Sequence, residues 1–276
     1  MAGFRGRPGF WQPFSLTVRC ADLFEKLFWR GLSGLFLLSF VPMVKGYFAD
    51  DETRAERVQQ LFDTIAPRYD LINNLQSLGL HHHWKRRFVA LANPDRSDHA
   101  LDLCCGTGDV SFALAESGTQ VTGLDFSPAM LDHAKARDEL NRVDFQRGDA
   151  LVTGFPDNHF DIVTIAYGLR NLADFEGGLR EMHRVTKPGG RIMVLDFGKP
   201  SFAPWRWAYF TYLKWMVPVF GKLFCRDAPA YAYIHESLEH YPAQDGVDKT
   251  LRKLDCRKVA IHRILGSAMT INYGVK

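Results

Sequence analysis

Apolar residues recur at helical spacing in some parts of the chain and form short runs in others, and this change predicts where helices give way to strands. Between residues 55 and 75 the apolar positions lie three and four residues apart, which predicts an amphipathic helix, and a second helix is predicted near residues 80–92. Beyond them, short apolar runs alternate with helical stretches. The predicted strands cover residues 100–105, 120–125, 144–149, 160–167 and 191–197. This alternation predicts an α/β fold with a doubly wound, mostly parallel sheet and helices on both faces.

A glycine-rich turn and a distant carboxylate form the strongest chemical signal. The pattern predicts a strand over residues 100–105, a tight turn at Gly106 and Gly108, and a helix over residues 110–117. In a doubly wound sheet the first strand-to-helix turn contacts the ligand, and glycine lets the backbone approach it closely. Asp125 follows Gly106 by 19 residues, at the end of the second predicted strand. An acidic residue at that spacing can bind both ribose hydroxyls, so the pattern favours a nucleotide-like cofactor over a purely structural turn.

The same turn discriminates between cofactors. A dinucleotide site has a third glycine where this chain has Ser111, and Asp109 would repel a pyrophosphate. S-adenosylmethionine carries no phosphate, and Asp102 and Asp109 would attract its sulfonium and amino groups. We therefore expect a methyltransferase rather than an oxidoreductase that uses NAD.

Several further motifs carry a family resemblance, in collinear order from about residue 55 to the end of the chain. The most specific are the opening Phe-Asp-Thr-Ile-Ala-Pro-Arg-Tyr-Asp of residues 62–70 and the Tyr-Gly-Leu-Arg-Asn of residues 167–171. With them stand residues 83–86, 101–109, 155–161, 185–190, 195–200 and 231–237. The sequence resembles the ubiquinone/menaquinone biosynthesis C-methyltransferases. That resemblance implies a Rossmann-like class I methyltransferase with a seven-stranded sheet, using S-adenosyl-L-methionine to methylate a ring carbon of a prenylated quinol.

The resemblance also assigns residues to roles. It implies that Thr107 lies at the methionine end of the cofactor, that Asp125 binds the ribose, and that Asp149 and Ala150 frame the adenine. Where the family often has a serine, this chain has Ala166, which puts one polar contact in doubt. The expected cofactor-binding residues are Asp102, Gly106, Thr107, Gly108, Asp125, Asp149, Ala150 and Ala166.

Methyl transfer to a ring carbon needs a positioned, electron-rich nucleophile. Arg170 is the expected stabiliser of a developing phenolate, since a guanidinium remains charged and is therefore a poor base. Tyr69 and Asp70 are the first candidates for the proton-transfer step. Further candidates are His83, Asp196, Tyr233 and His235, and the sequence does not rank them.

Residues 200–242 are unusually aromatic, with 12 aromatic side chains in 43 positions against 13% for the whole chain. Part of this segment is expected to be an ordinary helix packed on the sheet. The functional interpretation is a helical cap over a flat substrate with a polyisoprenoid tail, in contact with a membrane surface. A second copy of the chain, forming a homodimer, is a further candidate partner.

Composition and charge limit the remaining alternatives. The formal net charge is +3, but residues 1–48 hold +4 and the rest −1, so the near-neutral body argues against nucleic-acid binding. Five scattered cysteines indicate reduced thiols in an intracellular protein. The expected location is a bacterial cytoplasm, at the inner face of the membrane, with a mitochondrial matrix less favoured. No metal is expected, because adjacent histidines at residues 81–83 of a helix should point apart.

The chain is predicted to divide into an N-terminal extension, residues 1–48, and a methyltransferase domain, residues 49–276, which contains the cap. The uncharged stretch of residues 31–44 is shorter than the roughly 20 residues that cross a bilayer. We expect the extension to be disordered, to touch a membrane, or to reflect an over-long gene start. Two substrates stay open, demethylmenaquinol and, as the alternative, a polyprenyl benzoquinol of ubiquinone biosynthesis. A non-catalytic scaffold for quinone synthesis is a third reading.

Overall fold

A computed structural model describes residues 54–216 and 229–276, and these form one mixed sheet of seven strands. Their spatial order is β3-β2-β1-β4-β5-β7-β6. The first five strands in the chain are parallel, while β7 pairs antiparallel with both β5 and β6. The strands are β1 (His99–Leu103), β2 (Gln120–Asp125), β3 (Val143–Arg147), β4 (Phe160–Ala166), β5 (Thr186–Phe197), β6 (Arg257–Ile264) and β7 (Met269–Val275).

Helices cover both faces of the sheet. Neighbouring strand residues point to opposite faces, and accordingly Leu101 and Val163 belong to one buried apolar cluster while Ala100 and Ile162 belong to another. The doubly wound α/β fold is therefore confirmed. The helices are α1 (Arg54–Ile65), α2 (Tyr69–Ser77), α3 (Leu80–Ala92), α4 (Asp109–Ala115), α5 (Pro128–Arg137), α6 (Phe175–Val185), α7 (Ala203–Thr211), α8 (Pro229–His240) and α9 (Ala243–Lys253).

The ends of these elements differ from the sequence pattern where local chemistry interrupts it. The helix predicted over residues 55–75 is two helices, because a short 3₁₀ turn containing Pro67 separates α1 from α2. Ser127 caps α5 as predicted, its hydroxyl accepting the Met130 N–H at 3.1 Å. The pattern of apolar residues did not reveal β6 and β7 individually, since β6 is largely half-exposed at the edge of the sheet.

The aromatic segment after β5 is helical where the structure describes it. It contains α7, a π-helical turn over Tyr212–Met216 and α8. The predicted extension, residues 1–48, lies outside the described residues, as do residues 217–228 of the predicted cap. In the part of the chain that is described, no helix is both long and apolar enough to cross a membrane.

Candidate active site

A cleft crosses the carboxyl ends of four parallel strands. Asp149 follows β3, Asp125 ends β2, Gly106 follows β1 and Tyr167 follows β4, and all four residues line the cleft. Because adjacent strands lie about 4.8 Å apart, these groups succeed one another along its length. The empty space is about 920 Å³, counted out to the open mouth. The remaining wall is mostly apolar and includes Val58, Phe62, Tyr69, Leu124, Met130 and Leu172.

Asp125 joins two loops at the centre of the cleft. Its carboxylate accepts the Gly106 N–H at 2.8 Å through Oδ2 and the Ser127 N–H at 2.9 Å through Oδ1. Burial raises the pKa of this carboxyl, while the backbone N–H donors lower it and offset part of that effect. Each oxygen retains acceptor capacity, so the carboxylate can accept two further hydrogen bonds, such as those from a pair of ribose hydroxyls.

Two glycines shape the cleft for different reasons. Gly106 has a φ of +56°, and a Cβ added there would meet only Tyr69 Cε1, at 3.9 Å, so its missing side chain leaves open space. At Gly168, an added Cβ would lie only 2.5 Å from the Cβ of Cys104 and would collide with it. The first glycine lets a ligand approach the backbone, and the second lets the loop after β4 pack against the loop after β1.

The two residues that the resemblance assigns to the adenine, Asp149 and Ala150, lie at the β3 side of the cleft. Asp149 is exposed and accepts the Leu151 N–H at 2.8 Å, which holds its carboxylate at the cleft wall. Ala150 is 5% exposed and Ala166 half-buried, and both line the cleft. The structure therefore brings Asp149, Ala150 and Ala166 to the same cleft as Asp125, with Ala166 at the end of β4.

The helical pair α1–α2 is hydrogen-bonded to the loops beneath it. Thr107 Oγ1 donates to Asp70 Oδ1 at 2.9 Å, and Arg137 donates to the Thr107 carbonyl at 2.8 Å and to Asp70 Oδ2 at 3.4 Å. Tyr69, next to Asp70, lines the cleft and packs edge-on against Phe62. Asp70 and Thr107 therefore hold Tyr69 over the site, but they are not themselves part of the cleft wall.

Asp102 and Gly108 are enclosed by other protein side chains and do not line the cleft. Asp102 is 1% exposed, and its two oxygens accept the hydroxyls of Ser111 at 2.6 Å and Thr164 at 2.7 Å. Gly108 lies where a Cβ would meet the rings of Phe112 and Phe145 at 2.9 Å. Asp102 and Gly108, which the sequence predicts to bind the cofactor, therefore do not line this cleft.

Asp109 corrects the electrostatic argument used to choose the cofactor. Its carboxylate accepts Lys85 Nζ at 2.8 Å and Arg137 Nη2 at 2.7 Å, and the pKa of Asp109 falls to about 2 under the influence of these cations, against the opposing effect of burial. Its charge is therefore compensated within the protein, and Asp109 is not among the cleft residues. Neither repulsion of a phosphate nor attraction of a sulfonium can be credited to it.

Arg170 is enclosed by protein instead of facing the cleft. Its Nη1 donates to Asp196 Oδ1 at 2.8 Å and to the Tyr167 carbonyl, and its backbone N–H donates to Asp196 Oδ2 at 3.2 Å. The guanidinium also lies 4.9 Å from the centroid of the Phe197 ring. The structure does not bring Arg170 to the cleft wall, where the predicted contact with a phenolate would require it to lie. Arg170 acts on the cleft through Tyr167.

The other candidates for a proton acceptor are dispersed. Asp196 is paired with Arg170, and His83 is exposed on α3. His235 lies in a separate groove on the aromatic segment. The side chain of Tyr233 lies outside the described part of the structure.

Two neighbouring histidines come together despite the sequence argument that they should point apart. The rings of His81 and His82 are 3.9 Å apart, and together with Asp109 their ligand atoms lie within 4.8 Å of one another. Burial, followed by the charge of Lys85, lowers the pKa of His81 to about 4. Lys85 and Arg137 already hold both oxygens of Asp109, so a divalent cation would have to displace them.

Tyr167 and Asn171 line the cleft but were not singled out from the sequence as site residues. Tyr167 Oη and Asn171 Oδ1 are buried and have no hydrogen-bond partner within the described structure. The available signal was the motif of residues 167–171 itself, which a sequence can mark as specific without showing which side chains lack partners.

These observations fit S-adenosylmethionine. The cleft offers a central carboxylate for a ribose, open space above Gly106, and unsatisfied polar atoms at its β4 end. Its wall is otherwise largely apolar, as small-molecule sites generally are. Asp125, Asp149 and the backbone at Gly106 are the groups that would hold the cofactor.

The fold and the cleft define a class I methyltransferase. The chain belongs to the ubiE/COQ5 methyltransferase family, whose model matches residues 50–276. It is 40% identical over 230 residues to a protein from Lactiplantibacillus plantarum named demethylmenaquinone methyltransferase, a match that covers 79% of this chain and 95% of that one. A protein of the same name from Staphylococcus epidermidis is 34% identical, with 83% and 96% covered.

A solved structure agrees with the fold. It is an S-adenosylmethionine-dependent methyltransferase from Thermotoga maritima, with a TM-score of 0.56, 17% identity, and coverage of 79% of this chain and 99% of that chain. The predicted fold and the predicted family are both confirmed, and the family implies S-adenosylmethionine as the methyl donor.

Replacing Asp125 by Asn should weaken cofactor binding. An amide cannot accept hydrogen bonds at both of its ends, so one bond to Gly106 or Ser127 and one ligand contact are lost. We expect the Kd for S-adenosylhomocysteine, measured by calorimetry, to rise about 100-fold. Asp144→Asn, at an exposed carboxylate of β3, is the matched control and should bind normally. An unchanged Kd in Asp125→Asn would place the cofactor elsewhere.

Asp102 should make folding stability depend on pH. Burial raises its pKa from 3.8 to about 6, so between these values the folded state binds the proton more tightly than the unfolded chain does. The free energy of unfolding should therefore fall as pH rises from about 4 to about 6, by up to about 3 kcal/mol. Urea titrations across this range should show a flatter profile for Asp102→Asn than for the wild type. Parallel profiles would contradict the assignment.

Proposed function

We propose that this protein transfers a methyl group from S-adenosylmethionine to a ring carbon of demethylmenaquinol, forming menaquinol. The observation that carries the proposal is one cleft in which Asp125, bonded to the Gly106 backbone, adjoins a wall of aromatic and aliphatic side chains. The names of the relatives support the naphthoquinol substrate. A polyprenyl benzoquinol of ubiquinone biosynthesis, which the sequence resemblance implies as a second substrate, is kept as the alternative.

The order of groups along the cleft supports a division of labour. Asp149 and Asp125, at the β3 and β2 positions, would hold the adenine and ribose, while the loop after β1 would receive the methionine part. Tyr69 and the loop after β4 then surround the remaining end, where a flat quinol ring can lie. When bound, S-adenosylmethionine supplies an electrophilic methyl group on its sulfonium.

The protein's own contribution is positioning and the exclusion of water. Phe62, Tyr69 and Leu172 provide apolar surface on which an aromatic ring can be held against the methyl donor. The ring carbon loses a proton when it is methylated, and the Tyr69 hydroxyl is the candidate nearest the cleft to take part in that transfer. Asp70 orients the loop beneath Tyr69 through Thr107.

Two further readings are weighed against this function. A non-catalytic scaffold would have no need for the carboxylate arrangement at Asp125, which is complete in this chain. No metal is proposed, because methyl transfer from a sulfonium requires none, and because Lys85 and Arg137 neutralise the carboxylate nearest the paired histidines. A homodimer stays a prediction from the sequence.

Membrane association is proposed on the surface of the aromatic segment. Phe202, Trp207 and Trp215 are 69%, 73% and 62% exposed. Arg206 and Lys214 line the same groove as the two tryptophans, and Lys214 Nζ lies 5.8 Å from the Trp215 ring. Tryptophan beside cationic side chains is suited to the headgroup region of an anionic bilayer. This surface supports docking at the inner face of a bacterial membrane, from the cytoplasm, where a prenylated substrate resides.

A methyl-transfer assay on the full chain tests the proposed reaction. With S-adenosylmethionine tritiated on its methyl group, in detergent, label should enter reduced demethylmenaquinone. At a cofactor concentration near the wild-type Kd, Asp125→Asn should transfer far less label. A demethylated benzoquinol is assayed separately. Label in that substrate alone would show that the protein acts in ubiquinone biosynthesis instead. Cofactor binding without label in either quinol would support the scaffold instead.

Vesicle co-sedimentation tests the membrane surface. The full chain should bind vesicles of phosphatidylcholine and phosphatidylglycerol, and the double variant Trp207→Ser, Trp215→Ser should bind about tenfold less. Leu140→Ser is the matched control, since Leu140 is 74% exposed and belongs to the loop between α5 and β3. Equal binding by the double variant and the wild type would contradict this surface.

A further inference from the structure

Tyr167 carries a buried hydroxyl for which the described residues provide no hydrogen-bond partner. Such a group is costly to leave unsatisfied, because it has lost its hydration and gained nothing in exchange. Two other tyrosines of the chain avoid this cost: Tyr209 Oη donates to the Ala268 carbonyl at 3.0 Å and Tyr212 Oη to the Gln76 carbonyl at 3.1 Å. Tyr167 differs from them in lining the cleft.

The position of Tyr167 is held by several contacts. Its N–H donates to the Leu195 carbonyl at 2.7 Å, and its carbonyl accepts from Arg170. Its φ is +61°, a conformation that costs free energy for a residue with a side chain and that persists only when the surroundings enforce it. The ring lies 5.9 Å from Phe197, centroid to centroid, and Lys85 Nζ is 5.9 Å from the ring centroid. The surrounding contacts therefore hold Tyr167 in a strained conformation although its hydroxyl has no hydrogen-bond partner among the described residues.

The location of Tyr167 limits which group could be the hydrogen-bond partner of its hydroxyl. It follows β4, three strands from the strand that precedes Asp149, so it lies about 14 Å from the predicted adenine side of the cleft. Tyr69 and Gly106 line the same cleft, and a Cβ added at Gly106 would lie 3.9 Å from Tyr69 Cε1. Burial raises the pKa of the Tyr167 phenol far above its usual value, so the hydroxyl keeps its proton and can donate it in a hydrogen bond. The partner required is an acceptor oxygen at the methyl-transfer end.

We propose that Tyr167 is a substrate-positioning residue whose hydroxyl donates a hydrogen bond to an oxygen of the bound ligands. That oxygen belongs either to the ring of the quinol or to the carboxylate of the cofactor's methionine. The inference rests on the proposed function and extends it to a residue that neither the glycine turn nor the carboxylate spacing points to. It also explains why an unsatisfied hydroxyl is retained in a cleft wall that is otherwise apolar.

Tyr167→Phe tests the proposal, since it removes one oxygen and keeps the ring. If the quinol supplies the acceptor, kcat/KM for the quinol should fall about tenfold with the Kd for S-adenosylhomocysteine unchanged. If the cofactor carboxylate supplies it, that Kd should rise about tenfold. In both cases the ligand-free variant should melt at the same temperature as the wild type or higher, because no protein hydrogen bond is lost.

Tyr209→Phe is the matched control. It breaks the bond to the Ala268 carbonyl, which lies outside the cleft, so its Tm should fall while Kd and kcat/KM remain those of the wild type. The proposal for Tyr167 is overturned if Tyr167→Phe leaves both constants unchanged, or if it lowers the Tm as the control does. A wild type that methylates no quinol would contradict the proposed function instead, and the Tyr167 proposal would then be decided by the Kd alone.

Discussion

The carboxylate of Asp125 is the interaction on which the site depends. It ends β2, yet both of its oxygens bond to neighbouring turns, Gly106 after β1 and Ser127 before α5. Burying a charge is costly, and the backbone N–H groups offset part of that cost while leaving lone pairs toward the cleft. The same Ser127 caps α5 and donates through its hydroxyl to Asp63 on α1. One side chain thus connects the sheet, a helix start and, through Ser127, the helical pair above the cleft.

Ion pairs connect the N-terminal helices to the loop after β1. Lys85 on α3 and Arg137 at the end of α5 meet on Asp109, and Arg137 continues to Thr107 and Asp70. Because Lys85 and Asp109 are largely buried, this contact is screened less by solvent than a surface pair would be. Its effect is to bind the N-terminal helices to the loop after β1, which determines where Tyr69 lies.

A second buried pair serves the opposite wall. Arg170 and Asp196 are 3% and 2% exposed in their side chains, and removing either partner would leave an uncompensated charge. The pair fixes the loop after β4, including the strained backbone of Tyr167, against the end of β5. A residue predicted to stabilise charge on a substrate thus contributes here by shaping the wall that the substrate would contact.

The sequence pattern was sufficient to predict those helices, strands and turns that depend on interactions between neighbouring residues. Short apolar runs predicted β1 to β5, and helical spacing predicted the helices among them. The glycines of the turn after β1 and the spacing to Asp125 predicted a cofactor-binding loop, and the hydroxyl of Ser127 predicted the start of α5. Edge strand β6 escaped because half-exposed residues carry a weak periodic signal, and Pro67 divided a helix that the apolar pattern extended. The partners of Asp102 lie 9 and 62 residues away in the chain, and those of Asp109 lie 24 and 28 residues away. Arg170 and Asp196 are 26 residues apart. Only packing could therefore decide which charges face a ligand and which are neutralised inside the protein, because a carboxylate's role depends on the cation or hydroxyl that the fold brings to it.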